Sequence, residues 1–356
     1  MKITLLDLFS GIGGFHLGLE KAGFEVESYF SEIDKYAIDV YSNNFKNSTY
    51  VGSVTTINSE QLPRIDAITF GSPCQDFSLA GKRKGMGGER SSLITEAIRL
   101  IEECRPRFFI WENVKGTFSS NNRQDFAAIL QAFANIGGYR LEWQLLNTKW
   151  FLPQNRERIY LVGYLGDGSR GQVFPIGGNN KTNDAAIDRG NTCTITARYN
   201  AIGTGSYVNE LYKVSSATKK GYEEAIIGDS INLSVPTSKT RRDRVGKGVA
   251  QTLDTHCNQA VIGDFRNDEG YRERADGDSP TLSARAREDI FGQPIVNRIR
   301  RLTPIECERL QGFPDNWTAM GKEKGQISDS QRYKMCGNAV TVDVVAAVAE
   351  NLKKVL

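Results

Sequence analysis

The stretch Lys2-Ile3-Thr4-Leu5-Leu6-Asp7-Leu8-Phe9-Ser10-Gly11-Ile12-Gly13-Gly14 decides the fold. Its apolar half, Ile3 to Phe9, reads as a first β-strand. Its second half is a glycine turn that lets the backbone bend sharply and approach a ligand, with a helix N-terminus behind it. The dinucleotide fingerprint GxGxxG would need glycine at position 16, where this chain has His16. Glu32 closes the second strand-like run about 20 residues on, where an acid commonly accepts ribose hydroxyls. Turn and acid together suggest an adenosine-containing cofactor. A tight turn beside a solvated acid is the alternative.

Working outward, further strand-like runs are Val26 to Phe30, Ile65 to Phe70, Phe108 to Trp111, Leu141 to Leu146 and Ile159 to Leu165. Helical patterns lie between them, at Ser92 to Cys104 and Gln124 to Ile136. This alternation predicts an α/β fold, a Rossmann-like, mostly parallel sheet with helices on both faces. Ligands in such sheets bind beyond the carboxyl ends of the strands. From Asp167 to Asn297 the texture changes, with more Gly, Asn, Asp, Thr and Arg. It reads as an inserted, smaller, loop-rich β domain. Three similar segments recur there, Thr194 to Arg198, Thr252 to Thr255 and Thr281 to Arg285, read as like hairpins in one sheet. Helical order returns at Thr303-Pro304-Ile305-Glu306, a capping box with proline at the first helical position, and a last helix spans Val340 to Leu352. The division expected is therefore a domain of residues 1–166 completed by 298–356, with 167–297 inserted.

Composition narrows the chemistry. The 356 residues carry 45 Lys plus Arg against 42 Asp plus Glu, a net of +3, so a nucleic-acid site must be a local basic cleft rather than a general field. None of the six cysteines forms a CxxC pair, which argues against a zinc knuckle, and no metal site is expected. The two histidines, His16 and His256, are too few for a metal hydrolase or a Ser-His-Asp centre. No apolar run reaches the roughly 18–20 residues of a membrane span, and the N-terminus lacks a cleavage-type site, so an intracellular protein is expected.

Three segments carry reactive groups. Gly71-Ser72-Pro73-Cys74-Gln75-Asp76-Phe77-Ser78 ends a strand, with Pro73 fixing the backbone before the thiol. A buried structural cysteine is the commoner fate of such a residue. The segment after it, Gly81 to Arg90, is too glycine-rich and charged for a core. It reads as a basic lid able to close over a polyanion, or as a solvated loop. Trp111-Glu112-Asn113-Val114 places Glu112 behind apolar residues, partly desolvated, as suits a carboxyl that shares a proton, or simply at a helix start. Gln154-Asn155-Arg156-Glu157-Arg158 is either a surface ion-pair cluster or a set of fixed donors aimed into the cleft.

These segments resemble one family, the DNA cytosine-C5 methyltransferases. Phe9 to Gly14, Pro73-Cys74-Gln75, Glu112-Asn113-Val114, Gln154 to Arg158, Arg301 to Pro314 and Gly337-Asn338-Ala339-Val340 match its motifs in order, and the insert sits where that family places its target-recognition domain. The resemblance implies methyl transfer from S-adenosyl-L-methionine to C5 of cytosine in a specific double-stranded DNA sequence, on a base flipped out of the helix. Cys74 would add to C6, Glu112 would hold N3 and the 4-amino group, and Arg158, with Arg156 nearby, would bond O2. Phe9, Ser10, Gly11, Gly13, Gly14, Glu32, Asn338 and Ala339 would form the cofactor pocket. Ser53 stands where many members have an aspartate for the adenine amino group. Gln75, Ser78, Lys82, Arg83 and Arg90 would meet DNA, as would Arg241 and Arg242 from the run Lys239 to Arg244. Thr281-Leu282 looks like the family's Thr-Leu element, with Arg285 and Arg287 beside it as candidate guanine contacts.

The compact form implies a monomer of a bacterial or phage-infected cytoplasm, associated with the nucleoid through DNA. A restriction endonuclease acting on the same site would be a partner in a restriction-modification system. Two other readings keep the fold: a tRNA cytosine-5 methyltransferase, whose Cys-Phe-Thr signature is absent, and an inactive DNA-binding homologue. The inactive reading conflicts with the presence of both Cys74 and Glu112. An NAD-dependent oxidoreductase would leave Pro73-Cys74-Gln75 unexplained.

Overall fold

A computed structural model describes residues 1–72, 93–119, 124–166, 171–177, 212–226, 229–234, 240, 242, 244–255, 259–265 and 296–356. Its centre is a seven-stranded sheet built from β1 (Lys2–Leu8), β2 (Glu25–Ser31), β3 (Ser48–Tyr50), β4 (Ala67–Gly71), β5 (Phe108–Val114), β6 (Tyr139–Asn147) and β8 (Glu157–Leu165). The two-residue strand β7 (Gln154–Asn155) lies outside it. The order across the sheet is β3-β2-β1-β4-β5-β8-β6. All pairings among β1 to β5 are parallel, whereas β8 runs antiparallel to both of its neighbours.

That one reversal positions the site. In the parallel strands the residues that follow the strand stand at the ligand-binding edge. In β8 the residues that open the strand do. Val114 at the end of β5 pairs with Arg158 at the start of β8. The Gln154 to Arg158 segment, which leads into and opens β8, therefore reaches the same edge as Phe9, Glu32 and Glu112.

Strand alternation sorts the core into two layers. Ile3 and Leu5 of β1 face one side, with Phe15 and Leu19 of α1 (Gly14–Lys21) and the valines of the last helix. Leu6 and Leu8 face the other, with Ile94, Ala97, Leu100 and Ile101 of α3 (Leu93–Cys104) and Ile129 and Phe133 of α4 (Gln124–Asn135). The second helix of the chain, α2 (Lys35–Asn44), is capped by Asp34, whose carboxylate accepts from the N–H of Tyr36 at 2.9 Å. Such a cap is worth about 1 kcal/mol.

The C-terminal region returns to this body. Helix α5 (Pro304–Leu310) begins at the expected capping box, with Thr303 and Glu306 bonded reciprocally. Helices α6 (Asp329–Asn338) and α7 (Val342–Val355) follow. A methyl group on Gly18 of α1 would stand 2.5 Å from Val345 Cγ1, so α1 and α7 meet closely only because position 18 lacks a side chain. Residues 173–176 also join the main core, with Val173 buried and its N–H bonded to Glu142. The body thus extends past residue 166.

The insert contributes short antiparallel strands, as its texture predicts. A four-stranded sheet orders β12 (Val245–Gly246), β11 (Ser230–Asn232), β14 (Gln259–Phe265) and β15 (Val296–Arg301), beside the hairpin β9 (Tyr212–Ser215) and β10 (Tyr222–Ala225). Strand β15 runs across the expected boundary at 297/298. Among the described residues no helix is long and apolar enough to cross a membrane.

Candidate active site

The turn after β1 needs two left-handed residues in close succession, Phe9 at φ 51° and Gly11 at φ 54°, followed by Gly13 at φ 87°. Phe9 adopts a conformation that costs a side-chain-bearing residue of order 1 kcal/mol or more, and such strain collects at functional sites. Across the turn, Glu32 bonds back to the glycine segment. One carboxylate oxygen accepts from the N–H of Gly11 at 2.9 Å. The other accepts from the N–H groups of Ile33 at 2.7 Å and Asp34 at 3.0 Å. A carboxylate has about four acceptor positions, and these three bonds leave Glu32 one position, on the oxygen that faces Gly11, for a ligand hydroxyl.

The remaining cofactor candidates gather on the same rim. A methyl group on Gly14 would stand 2.6 Å from Val340 Cγ2 and 3.0 Å from its carbonyl oxygen, so the Asn338-Ala339-Val340 return presses directly on the start of α1. Asn338 is exposed at the end of α6 and Ala339 is buried. Ser53 follows Gly52, whose carbonyl accepts from Ser31 Oγ at 2.8 Å, which holds it beside the end of β2; its hydroxyl meets Thr55. Asp34 ties the rim to α6 through Lys334 at 2.6 Å. Burial opposes the charge on Asp34, yet Lys334 and the N–H groups of Tyr36 and Ala37 hold its carboxyl below the usual range.

The second half of the site lies at the ends of β4, β5 and β8. Glu112 is 8% exposed, and its Oε1 stands 3.1 Å from Nε of Arg158. The pair is an ion contact without hydrogen-bond alignment, and Glu112 Oε1 is buried with no hydrogen-bond partner. Room for the carboxylate comes from Gly71, where a methyl group would lie 3.2 Å from Glu112 Oε2. Arg156 is turned inward instead, 4% exposed, with Nη2 donating to the carbonyl of Ala339 at 2.9 Å. Asn113 secures the approach to the Pro73-Cys74 dipeptide, donating to Ser72 O at 3.1 Å and Ser72 Oγ at 3.2 Å, while Trp111 Nε1 donates to the same hydroxyl at 3.1 Å. Ser72 is thus fixed from two sides.

A strap from the insert crosses this region. Strand β13 (Ala250–Gln251) pairs in parallel with β7, and Thr252 Oγ1 donates to Asn155 O at 2.8 Å. With its amide turned to satisfy its neighbours, Gln154 accepts from the N–H of Leu253 at 3.2 Å. A methyl group on Gly337 would stand 2.3 Å from the carbonyl oxygen of Asp254.

Of the expected site residues, Phe9, Ser10, Gly11, Gly13, Gly14, Glu32, Ser53, Glu112, Arg156, Arg158, Asn338 and Ala339 line this one edge. Cys74, Gln75, Ser78, Lys82, Arg83, Arg90, Arg241, Thr281, Leu282, Arg285 and Arg287 lie outside the described residues. Arg242 is exposed and donates to Ala217 O. Its neighbour Arg244 is buried, bonding Ser215 O and Asn232 O, and so braces the insert rather than facing DNA. Two features escaped the sequence reading. Ile33, beside Glu32, is 81% exposed, which an apolar residue flanked by charged ones does not reveal. Asp7 is fully buried, and its signal was a charge inside an apolar strand.

A family model for the C-5 cytosine-specific DNA methylases matches residues 3–354. The chain is similar to the type II methyltransferase M.NlaX of Neisseria lactamica, 32% identical over 99% of this chain and 96% of the relative. It is similar also to the orphan methyltransferase M.SPRI of Bacillus phage SPR, 29% identical over 99% and 97%. Among solved structures it resembles the Entamoeba histolytica methyltransferase EhMeth, with TM-score 0.57 at 17% identity over 99% of this chain and 98% of that one. The S. pombe Dnmt2 methyltransferase gives TM-score 0.54 at 18% identity over 98% and 97%.

Proposed function

The chain belongs to the C-5 cytosine-specific DNA methylase family, and from that premise we propose that Cys74, Glu112 and Arg158 act on cytosine in one pocket while the rim from Phe9 to Glu32 holds the methyl donor. The protein is a DNA (cytosine-5-)-methyltransferase, and membership implies dependence on S-adenosyl-L-methionine. That donor supplies an electrophilic methyl group on a sulfonium. The residues present suit it. Ser10 Oγ is buried without a hydrogen-bond partner, the Gly11 to Gly14 turn leaves no room for side chains at positions 13 and 14, and Glu32 keeps one acceptor position toward a ribose hydroxyl. Ile33, exposed next to Glu32, offers an apolar face to a heterocycle.

C5 of cytosine is a poor nucleophile until C6 carries an added group. The Cys74 thiolate forms the bond to C6, and Glu112 delivers a proton to N3, so the ring gains no net negative charge. Arg158 donates to O2. C5 then takes the methyl group and loses its proton to a base or water; the bond to Cys74 breaks as the thiolate leaves, and N3 returns its proton to Glu112. Arg156 holds the donor-side wall through Ala339 rather than meeting the base. On this reading thiol activation is supplied by guanidinium charge and by the protonation of the ring.

The observation that carries this reading is the meeting of Glu112 and Arg158 at 3.1 Å, at the edge where β4 ends. The substrate is a flipped cytosine in double-stranded DNA, a step costing a few kcal/mol of unstacking. The insert reads the flanking sequence, and Lys219 and Lys220, on a groove of about 430 Å³ that Glu223, Glu224 and Lys247 also line, are suited to phosphates, whereas Lys247 is held by Asp229 at 2.7 Å. The test is incubation with a 5-fluorocytosine duplex and donor. A denaturation-resistant adduct is expected from the native protein and none from Cys74→Ser. An adduct from the variant, or none from the native protein, overturns the assignment.

A further inference from the structure

Beneath the glycine turn runs a continuous buried polar chain that methyl transfer does not use. Asp7 is fully buried, paired in register with Thr69 of β4 and Phe30 of β2. Its Oδ1 accepts from Thr69 Oγ1 at 2.8 Å, and its Oδ2 accepts from the Tyr41 hydroxyl at 3.4 Å. The same hydroxyl stands 3.0 Å from His16 Nδ1. His16 is 3% exposed, stacked on Phe45 at 3.7 Å, with Nε2 at 3.3 Å from the half-exposed Glu20. The Tyr41 and Phe45 rings form the floor on which Gly13 rests, where a methyl group would stand 2.3 Å from Phe45.

A tyrosine hydroxyl has one proton to give. If Asp7 is protonated it can donate to Tyr41, and Tyr41 then donates to His16 Nδ1. If Asp7 is ionised it can only accept, so Tyr41 donates to Asp7 and must itself accept from a protonated His16 Nδ1. The two ends are therefore coupled through one hydroxyl. Charged or polar groups facing the chain are Glu32 from the end of β2, Ser28 from β2, Thr69 from β4 and Glu20 from α1. Burial, and then the Glu32 charge, push the Asp7 carboxyl up to about 8 against the two hydroxyl bonds.

We propose that Asp7, Tyr41 and His16 form a proton-sharing chain under the cofactor turn, and that its ionisation sets how strongly the cleft prefers the sulfonium donor over its neutral thioether product. This rests on the cofactor reading of the rim. An anionic Asp7 beneath the turn favours a cation above it, and a neutral Asp7 does not discriminate. A buried unit charge acts on a cation in the cleft far more than on a neutral ligand, and the ratio should change on the order of ten-fold.

The experiment measures binding of S-adenosyl-L-methionine and S-adenosyl-L-homocysteine by calorimetry from pH 6.5 to about pH 9, in the native protein, Asp7→Asn and Tyr41→Phe. The preference for the sulfonium ligand should rise with pH in the native protein, and its excess over Asp7→Asn isolates the buried group, because each ligand's own amino group titrates alike in both. In parallel, without ligand, the His16 ring-nitrogen signals should change tautomer over the same interval in the native protein and no longer do so in Tyr41→Phe, which keeps its ring on Phe30. The same pH course in Asp7→Asn, or His16 signals that ignore the interval or still respond in Tyr41→Phe, overturns the proposal. If neither ligand binds the native protein, the cofactor reading fails, and the ligand-free signals still decide the chain.

Discussion

Arg156 and Ala339, 183 positions apart, are joined by a 2.9 Å hydrogen bond from the guanidinium to the main-chain carbonyl. The bond ties the segment that opens β8 to the return that closes the cofactor rim. Arg156→Ala leaves that buried carbonyl unsatisfied and should cost about 1–3 kcal/mol of stability. It should weaken donor binding more than DNA binding. Separate titrations with donor and with duplex DNA check this, and an equal loss in both would count against the brace.

Glu112→Gln keeps the shape of the side chain but loses the carboxyl group that faces Arg158 and that, on the proposed mechanism, exchanges a proton with N3. Methyl transfer should fall roughly 10²- to 10³-fold, the scale of losing one positioned group of this kind. Duplex binding should change little. Single-turnover transfer of labelled methyl groups, beside filter binding of the same DNA, separates the two effects.

Gly14→Ala places a methyl group 2.6 Å from Val340 Cγ2. Either α1 or the 338–340 return must shift, at a cost of about 1–3 kcal/mol, and donor affinity should fall on the order of ten-fold. Val340→Ala in the same chain should restore part of the loss. A double variant no better than Gly14→Ala would mean that the carbonyl of Val340, not its side chain, sets the fit.

The buried carboxyl of Asp7 also gives stability a definite pH course. Its raised value means that the folded chain holds a proton which the unfolded chain releases near 3.8. Stability from this group is therefore full at low pH, declines as pH rises above 3.8, and levels off above about 8. Asp7→Asn should gain on the native protein across that window. Thermal melts at pH 5, 7 and about 9 check the sign.

Much of this architecture was legible in the sequence because its signals are local. Ile3 to Phe9, the amphipathic Ser92 to Cys104 and the Thr303 to Glu306 cap each depend on neighbours a few residues away. What escaped depends on distant partners. The direction of β8 is set by its pairing with β5 and β6, and nothing in Ile159 to Leu165 announces it. The inward turn of Arg156 needs Ala339, and that of Arg244 needs Ser215 and Asn232; a run of arginines reads alike whichever way it faces. His16 looked like a failed glycine in a fingerprint, and only Tyr41 and Asp7 show its place.

The strap at residues 250–255 bears on transplanting the insert between relatives. Its main chain is threaded into the body at Gln154, Asn155 and Gly337. A graft that swaps only the outer hairpins leaves this seam native. One that swaps the whole insert must import a segment able to lie against a bare α-carbon at position 337, or the new module will be tied to the body through its two chain ends alone.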